Sequence, residues 1–280
     1  MRTGRGRALS APPPAAASPR DRDPWFWSHY DVASIVLDHV PASCVARGRR
    51  VLDFGCGDGA ATLGLALRAE ADVLGLDLTR AFDHLPELAR RNLGLSLPGN
   101  LSFVVANEGE ALPVPAASID LAFSWSVFEH VSDPRGSLEA LHRVIKPGGF
   151  LFVQVDPLFY SPFGSHLQRL VKAPWAHLEM GDGEFLELAL AAPNDIPLDE
   201  QDTLYRTNAF EEVRRHLVGE YKRLNRLKAE ELLGMVRVAG FEILSSNTTC
   251  CDLDPPEALL ATYPRELLLT RQVVLLARRK

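Results

Sequence analysis

Hydrophobic and polar positions change period several times along this chain. In "PWFWSHYDVASIVLDHV" (24–40) apolar residues recur at roughly helical spacing and the pattern stops before Pro41, which predicts a helix packed on a core by one face. "RRVLDF" then reads as a short buried strand, and "ATLGLALRAEA", after a cluster of glycines, as a helix. "DVLGLDL" (72–78) is a second strand, and 81–93 is helical in character although Pro86 disturbs it. "LSFVVA" (101–106), "SIDLAFSWS" (118–126) and "GFLFVQVD" (149–156) supply three more strands. Between the last two, "PRGSLEALHRVI" predicts a helix that opens near Pro134 and ends before a Pro147-Gly148-Gly149 turn.

Strands alternating with helices imply an α/β fold with a doubly wound parallel sheet and right-handed crossovers. The C-terminal stretch breaks the alternation. "AEELLGMVRVAG" is a helix closed by Gly240, and "FEILSSN" and "RQVVLLARR" are two strands with no helical pattern between them. Such a pair is expected to be antiparallel at one edge of the sheet. Between the fifth strand and about Lys228 lies a long insertion (157–230), rich in His, aromatic and acidic residues and helical over 209–228. An elaboration of that length after a sheet strand predicts a lid or substrate pocket on a single domain spanning 24–280.

Composition narrows the class. The chain has 280 residues, net charge −6 and 46% hydrophobic residues, enough for one substantial core and too acidic for a general nucleic-acid binder. No stretch reaches the roughly 18 apolar residues a membrane helix needs. Residues 1–23, basic and then rich in Pro, Ala and Ser, read as a disordered leader rather than a signal peptide. Cys44, Cys56, Cys250 and Cys251 form no C-x-x-C pair, which fits a reducing, cytoplasmic compartment.

The candidate chemistry starts at "VLDFGCGDGA" (51–60), where Gly55, Gly57 and Gly59 alternate between a strand and a helix. Bare backbone there turns tightly and presents N–H groups to a polar or anionic ligand. The stretch also fits the dinucleotide pattern through Gly55, Gly57 and Ala60, so an NAD-dependent oxidoreductase is one reading. Asp53 argues for a ligand carrying a positive group, because its carboxylate would face an incoming pyrophosphate. Asp77, eighteen residues beyond Gly59, ends the second strand where it can accept both hydroxyls of a ribose, and serves either ligand.

"VLDFGCGDG", "VLGLDLT", "EALPVPAASIDLAFSWSVFEHVSDP" and "LHRVIKPGGFLFV" together resemble the class I S-adenosylmethionine-dependent methyltransferases that act on small molecules, over roughly residues 50–155. The resemblance implies a Rossmann-like, seven-stranded sheet with the last strand antiparallel, and S-adenosyl-L-methionine as cofactor. It places Gly55, Cys56, Gly57 and Gly59 along the methionine and ribose, Asp53 near the methionine amino group, Asp77 on the ribose and Leu78 beside the adenine. Its acidic adenine contact falls on Asn107 or Glu108, next to Gly109, because "ANEGEALP" is one residue longer than the commonest form. Ser124 and Trp125, after the fourth strand, are its expected methionine contacts.

For catalysis, a hydroxyl acceptor gains from a base near neutral pH, for which His suits. His130, in "FEHV", stands beyond the fourth strand at the edge where such ligands bind. His166 and His177 follow the fifth strand among Tyr160 and Trp175 and are candidate bases in an acceptor pocket. With Glu179, Asp182 and Glu184 they match no zinc spacing, so no metal is expected. The reading that results is methyl transfer to a hydroxyl or similar nucleophile of a small molecule, with no nucleic-acid or membrane partner. A cofactor-binding module without catalysis is the non-enzymatic alternative.

Overall fold

The computed structural model describes residues 23–195 and 209–280; the proposed leader, apart from Asp23, lies outside the described residues. Helix α1 (Pro24–His39) starts where the Asp23 carboxylate accepts from the N–H groups of Trp25 and Phe26. That N-cap satisfies donors the helix itself leaves unpaired, and Pro24 costs nothing at a position with no donor to give. Five parallel strands follow: β1 (Arg50–Phe54), β2 (Asp72–Asp77), β3 (Leu101–Val105), β4 (Ile119–Trp125) and β5 (Ile145–Val155). Their crossovers hold α2 (Ala60–Arg68), α3 (Leu85–Leu93) and α4 (Pro134–Val144). Pro86 ends the disturbance the sequence suggested: 81–84 form a short 3-10 turn, and Pro86 sits in the first turn of α3.

The sheet has seven strands in the order β3-β2-β1-β4-β5-β7-β6, with β6 (Phe241–Cys250) and β7 (Thr270–Arg279) at the far edge. β7 lies antiparallel between β5 and β6. Two details differ from the sequence reading. Pro147-Gly148-Gly149 does not end one element before the next; it is an irregularity inside β5, where pairing with β4 shifts register between Ile119 and Leu121. Between β6 and β7 two short helices intervene, α9 (Glu257–Leu260) and α10 (Arg265–Leu269), each led in by a proline, Pro256 and Pro264. Helices of four and five residues are too short for a periodic pattern to reveal them.

β4 is buried along six of its seven residues, as a central parallel strand covered on both faces must be. One face packs Leu52, Leu151 and Val153 against α4 and α8 (Ala229–Val238). The other packs Val51, Phe123 and Phe152 against α1 and α2. The insertion contributes α5 (Ala176–Glu179), α6 (Asp182–Ala191) and α7 (Phe210–Arg223), with an apolar cluster of its own around Phe159, Leu167, Phe185 and Tyr221. Trp175 Nε1 ties it to α10 by donating to Leu268 O at 3.2 Å. Asn225, just past α7, ties it to the turn after β4: its side-chain amide donates to Phe128 O at 2.6 Å and Val131 O at 2.8 Å.

Among the described residues, no helix is long and apolar enough to cross a membrane.

Candidate active site

The chain leaves β1 and β4 in opposite directions along the sheet, so their C-terminal ends bound a crevice, the place where ligands bind in open parallel sheets. A cleft of about 770 Å³ lies there. One end is walled by Gly55, Asp77 and Leu78; Asn107, Glu108 and Gly109 form a rim. The other end is walled by Ser126 and His130 from the turn after β4, and by Glu220 and Arg223 from α7. Core and insertion therefore share one cavity.

The glycine loop is built for close approach. Gly55 has φ +82°, and a Cβ there would meet the Val127 side chain at 2.5 Å. Gly59, φ +81°, is the left-handed N-cap of α2. Gly57, also at positive φ, has open space around it, and its N–H donates to Asp77 Oδ2 at 2.9 Å. The other Asp77 oxygen accepts from the Thr79 N–H and hydroxyl at 2.9 and 3.0 Å. The carboxylate is thus fixed at the cleft wall, with lone-pair capacity left for further donors. Leu78 beside it is 55% exposed, an apolar surface offered at the rim. Asn107 donates to Glu110 Oε2 at 2.9 Å, and Glu108 accepts from the Ser132 hydroxyl.

Asp53 and Cys56 lie behind this wall. Asp53 is buried and accepts from the Thr62 hydroxyl at 2.7 Å. Burial pushes its pKa up to about 7, against the lowering effect of the Thr62 bond. Burial likewise raises the Cys56 thiol. Ser124 is fully buried, donating to Phe54 O at 3.1 Å, and Trp125 packs against the α1 side of the core. Neither is on the cleft wall. That position belongs to Ser126, at φ +51°, whose N–H and hydroxyl both donate to Gln154 Oε1 at 3.0 Å.

The histidines separate into two environments. His130 and His166 meet edge to face, 5.0 Å between ring centroids. His130 Nδ1 faces Glu220 Oε2 at 3.5 Å, without closing a hydrogen bond. Burial lowers the His130 pKa, with Glu220 opposing the shift. Burial and the neighbouring His130 push His166 down to about 4, although its Nε2 lies 3.3 Å from Pro157 O. His177 is elsewhere, buried beneath Phe159 with Nε2 2.7 Å from the Phe159 carbonyl, and does not line the cleft. The structure thus gathers His130 and His166 and sets His177 apart. Glu129, which the sequence reading passed over, is buried beside the pair, and burial raises its carboxyl well above the usual range. Its only sequence signal is adjacency to His130. Glu220 carried none, since a helix of that charge density reads as a solvated face.

The strand order and the cleft at the ends of the parallel strands are those of the Rossmann-like fold that class I S-adenosylmethionine-dependent methyltransferases share, a class whose cofactor is S-adenosylmethionine. The residues fit that group: a glycine loop whose Gly57 faces open space, an anchored carboxylate at the end of β2 and an exposed leucine beside it. Residues 52–153 match the family described as "Methyltransferase domain". Curated relatives include ubiquinone biosynthesis O-methyltransferases of Neisseria meningitidis serogroup C (28% identical, covering 47% of this chain and 54% of the relative). Another, from Chromobacterium violaceum, is 31% identical over 47% of this chain and 55% of the relative. The chain thus spans about half the length of the curated relatives it matches. Among solved structures, a S-adenosylmethionine-dependent methyltransferase from Mesorhizobium loti aligns with TM-score 0.51 at 19% identity, covering 91% of this chain and all of that one (100%). Geranyl diphosphate methyltransferase in complex with S-adenosylmethionine gives 0.54 at 16% identity, over 90% and 85% of the two chains. The cyclase SpnF also gives 0.54, at 19% identity over 94% and 85%, so the fold by itself does not select the reaction.

Proposed function

We propose that this chain transfers a methyl group from S-adenosylmethionine to a hydroxyl oxygen of a small molecule. The observation that carries the reading is the cleft itself, which runs from the Asp77–Leu78 wall to His130 facing Glu220. Curated relatives named as O-methyltransferases favour oxygen as the acceptor atom.

The cofactor supplies an electrophilic methyl carbon on a sulfonium, and its transfer requires in-line approach of a nucleophile. The chain does the rest. Asp77 accepts from the ribose hydroxyls, Leu78 lies against the adenine, and Asn107 or Glu108 takes the adenine amino group. Gly55 lets the loop pack directly against Val127, and Gly57 faces open space that the ligand can enter. His130, held neutral by burial, and Glu220 beside it form the pair that takes the acceptor's proton. The insertion covers the acceptor, since α7 supplies Glu220 and Arg223 to the same cavity. Positioning of this kind accounts for about 7–11 kcal/mol of barrier in favourable cases.

Calorimetry with S-adenosylhomocysteine, followed by turnover with a panel of hydroxylated acceptors, tests the reading. Asp77→Ala removes charge-assisted hydrogen bonds of about 1.5–3 kcal/mol each, so its affinity is expected to fall roughly 30-fold or more. Undiminished affinity in that variant defeats the ribose assignment. Tight binding with no consumption across the panel defeats the enzymatic reading and leaves a binding module.

A further inference from the structure

We propose that Glu129, His130 and His166 form a divalent-cation site at the acceptor end of the cleft, suited to zinc or a similar first-row metal. One carboxylate oxygen of Glu129 and one ring nitrogen from each histidine all lie within 4.8 Å of one another. The three residues come from two separate pieces of chain, the turn after β4 and the start of the insertion.

Their hydrogen bonding is left open, although Glu220 Oε2 stands 3.5 Å from His130 Nδ1. Glu129 is 3% exposed, and both its carboxylate oxygens are buried without a hydrogen-bond partner. The backbone N–H groups of Glu129 and Asp156 approach the carboxylate but do not close hydrogen bonds. A buried carboxyl with neither oxygen hydrogen-bonded is costly, and a bound cation would satisfy it. His130 Nδ1 is also buried and lacks a hydrogen-bond partner. His166 sits at φ +59°, a strained backbone state for a non-glycine residue and one that clusters at functional sites. Its Nε2 contact with Pro157 O is the kind of outer contact that fixes the tautomer of a ligating histidine and leaves the lone pair on the other nitrogen.

Two imidazoles and one carboxylate are the donor set of catalytic zinc, which keeps a fourth position open. Bonds of about 2.0–2.2 Å would draw the donor atoms together by about an ångström. His130 lines the cleft, so the open position faces it. This inference rests on the methyl-transfer reading for its purpose. An acceptor hydroxyl bound to the cation loses its proton to Glu220, the member of the His130–Glu220 pair that stays unligated. The freed oxygen lone pair then forms the O–C bond as the C–S bond breaks, with the electron pair leaving on sulfur.

The test needs neither methyl donor nor acceptor. The full chain, stripped with chelator and dialysed, is titrated with zinc by calorimetry and with cobalt(II) by visible absorption. One zinc per chain is expected, and cobalt should give ligand-field bands of a four- or five-coordinate site. Glu129→Gln and His166→Gln should each weaken zinc binding more than about tenfold. Absence of saturable binding, or variants that bind zinc as the unaltered chain does, overturns the proposal. Anomalous scattering from a zinc-soaked crystal of the unaltered chain needs no variant: an ion bonded to all three side chains supports the site, and an ion elsewhere overturns it. S-adenosylhomocysteine affinity measured on the same preparation separates the two ideas, because cofactor binding without zinc binding defeats only the metal site.

Discussion

Gly55 concentrates the demands of the site on one residue. Its N–H donates to Leu76 O at 2.8 Å, its φ is +82°, and the space a Cβ would fill is taken by Val127. Gly55→Ala meets two separate penalties, about 1–2 kcal/mol for left-handed backbone and about 1–3 kcal/mol for overlap with a stiff β-branched side chain. Denaturant unfolding should show a loss of about 2–5 kcal/mol. Adding Val127→Ala relieves only the overlap, so the double variant should recover part of the loss, and full recovery would exclude backbone strain. This loop was legible because glycine at alternate positions has few other uses between a strand and a helix. Ser124 and Trp125 were not, because their placement turns on where β4 stops. With side chains alternating in and out, the last strand residues point into packed layers, and only Ser126, beyond the strand at positive φ, turns to the cleft.

At the scale of elements, the strands were readable from their apolar runs, whereas the insertion had no period to read. Its order comes from aromatic packing and from polar residues bonded to carbonyls, such as His177 beneath Phe159 and Asn225 on the turn after β4. His177 gives this element a pH signature. Burial holds its folded pKa near 4 against an ordinary value of 6.5. Below pH 6.5 the unfolded chain takes up a proton that the folded chain refuses, so the stabilising contribution is complete above pH 6.5 and is lost as pH falls toward 4. At about 1.4 kcal/mol per pKa unit, the full loss is about 3 kcal/mol. Asp53 and Glu129, whose carboxyls burial raises, tilt the total stability the opposite way, so the comparison must be with a variant. Relative to His177→Gln, which cannot titrate, the unaltered chain's advantage at pH 7 should shrink by about 3 kcal/mol by pH 4 in denaturant unfolding. A constant difference across that range would mean that the buried imidazole does not stay neutral.

Over the whole molecule, the parallel half of the sheet and the insertion divide the cleft between them. The sequence made the first half legible, since strand ends and glycines carry their own local logic. The second half depends on a long-range meeting: α7 lies some ninety residues beyond His130, yet Glu220 comes within 3.5 Å of it. Asn225 holds that meeting in place through the carbonyls on either side of Glu129 and His130, and accepts in turn from the Leu227 N–H at 3.1 Å. If donor and acceptor ends are served by separate pieces of chain, substitutions at the two ends should separate kinetically. Glu220→Gln keeps the shape and the hydrogen-bonding capacity of the side chain but removes its ability to take a proton. General-base contributions of about 10²–10⁴ imply a fall in kcat of at least tenfold for an accepted hydroxyl substrate. Affinity for S-adenosylhomocysteine should stay within about threefold, because the anchors at Asp77 and the glycine loop are untouched. Asp77→Ala should do the reverse, weakening the cofactor most. A Glu220→Gln variant that loses cofactor affinity in proportion to its turnover would show that α7 closes over the donor rather than the acceptor, and the two halves of the cleft would have to be reassigned.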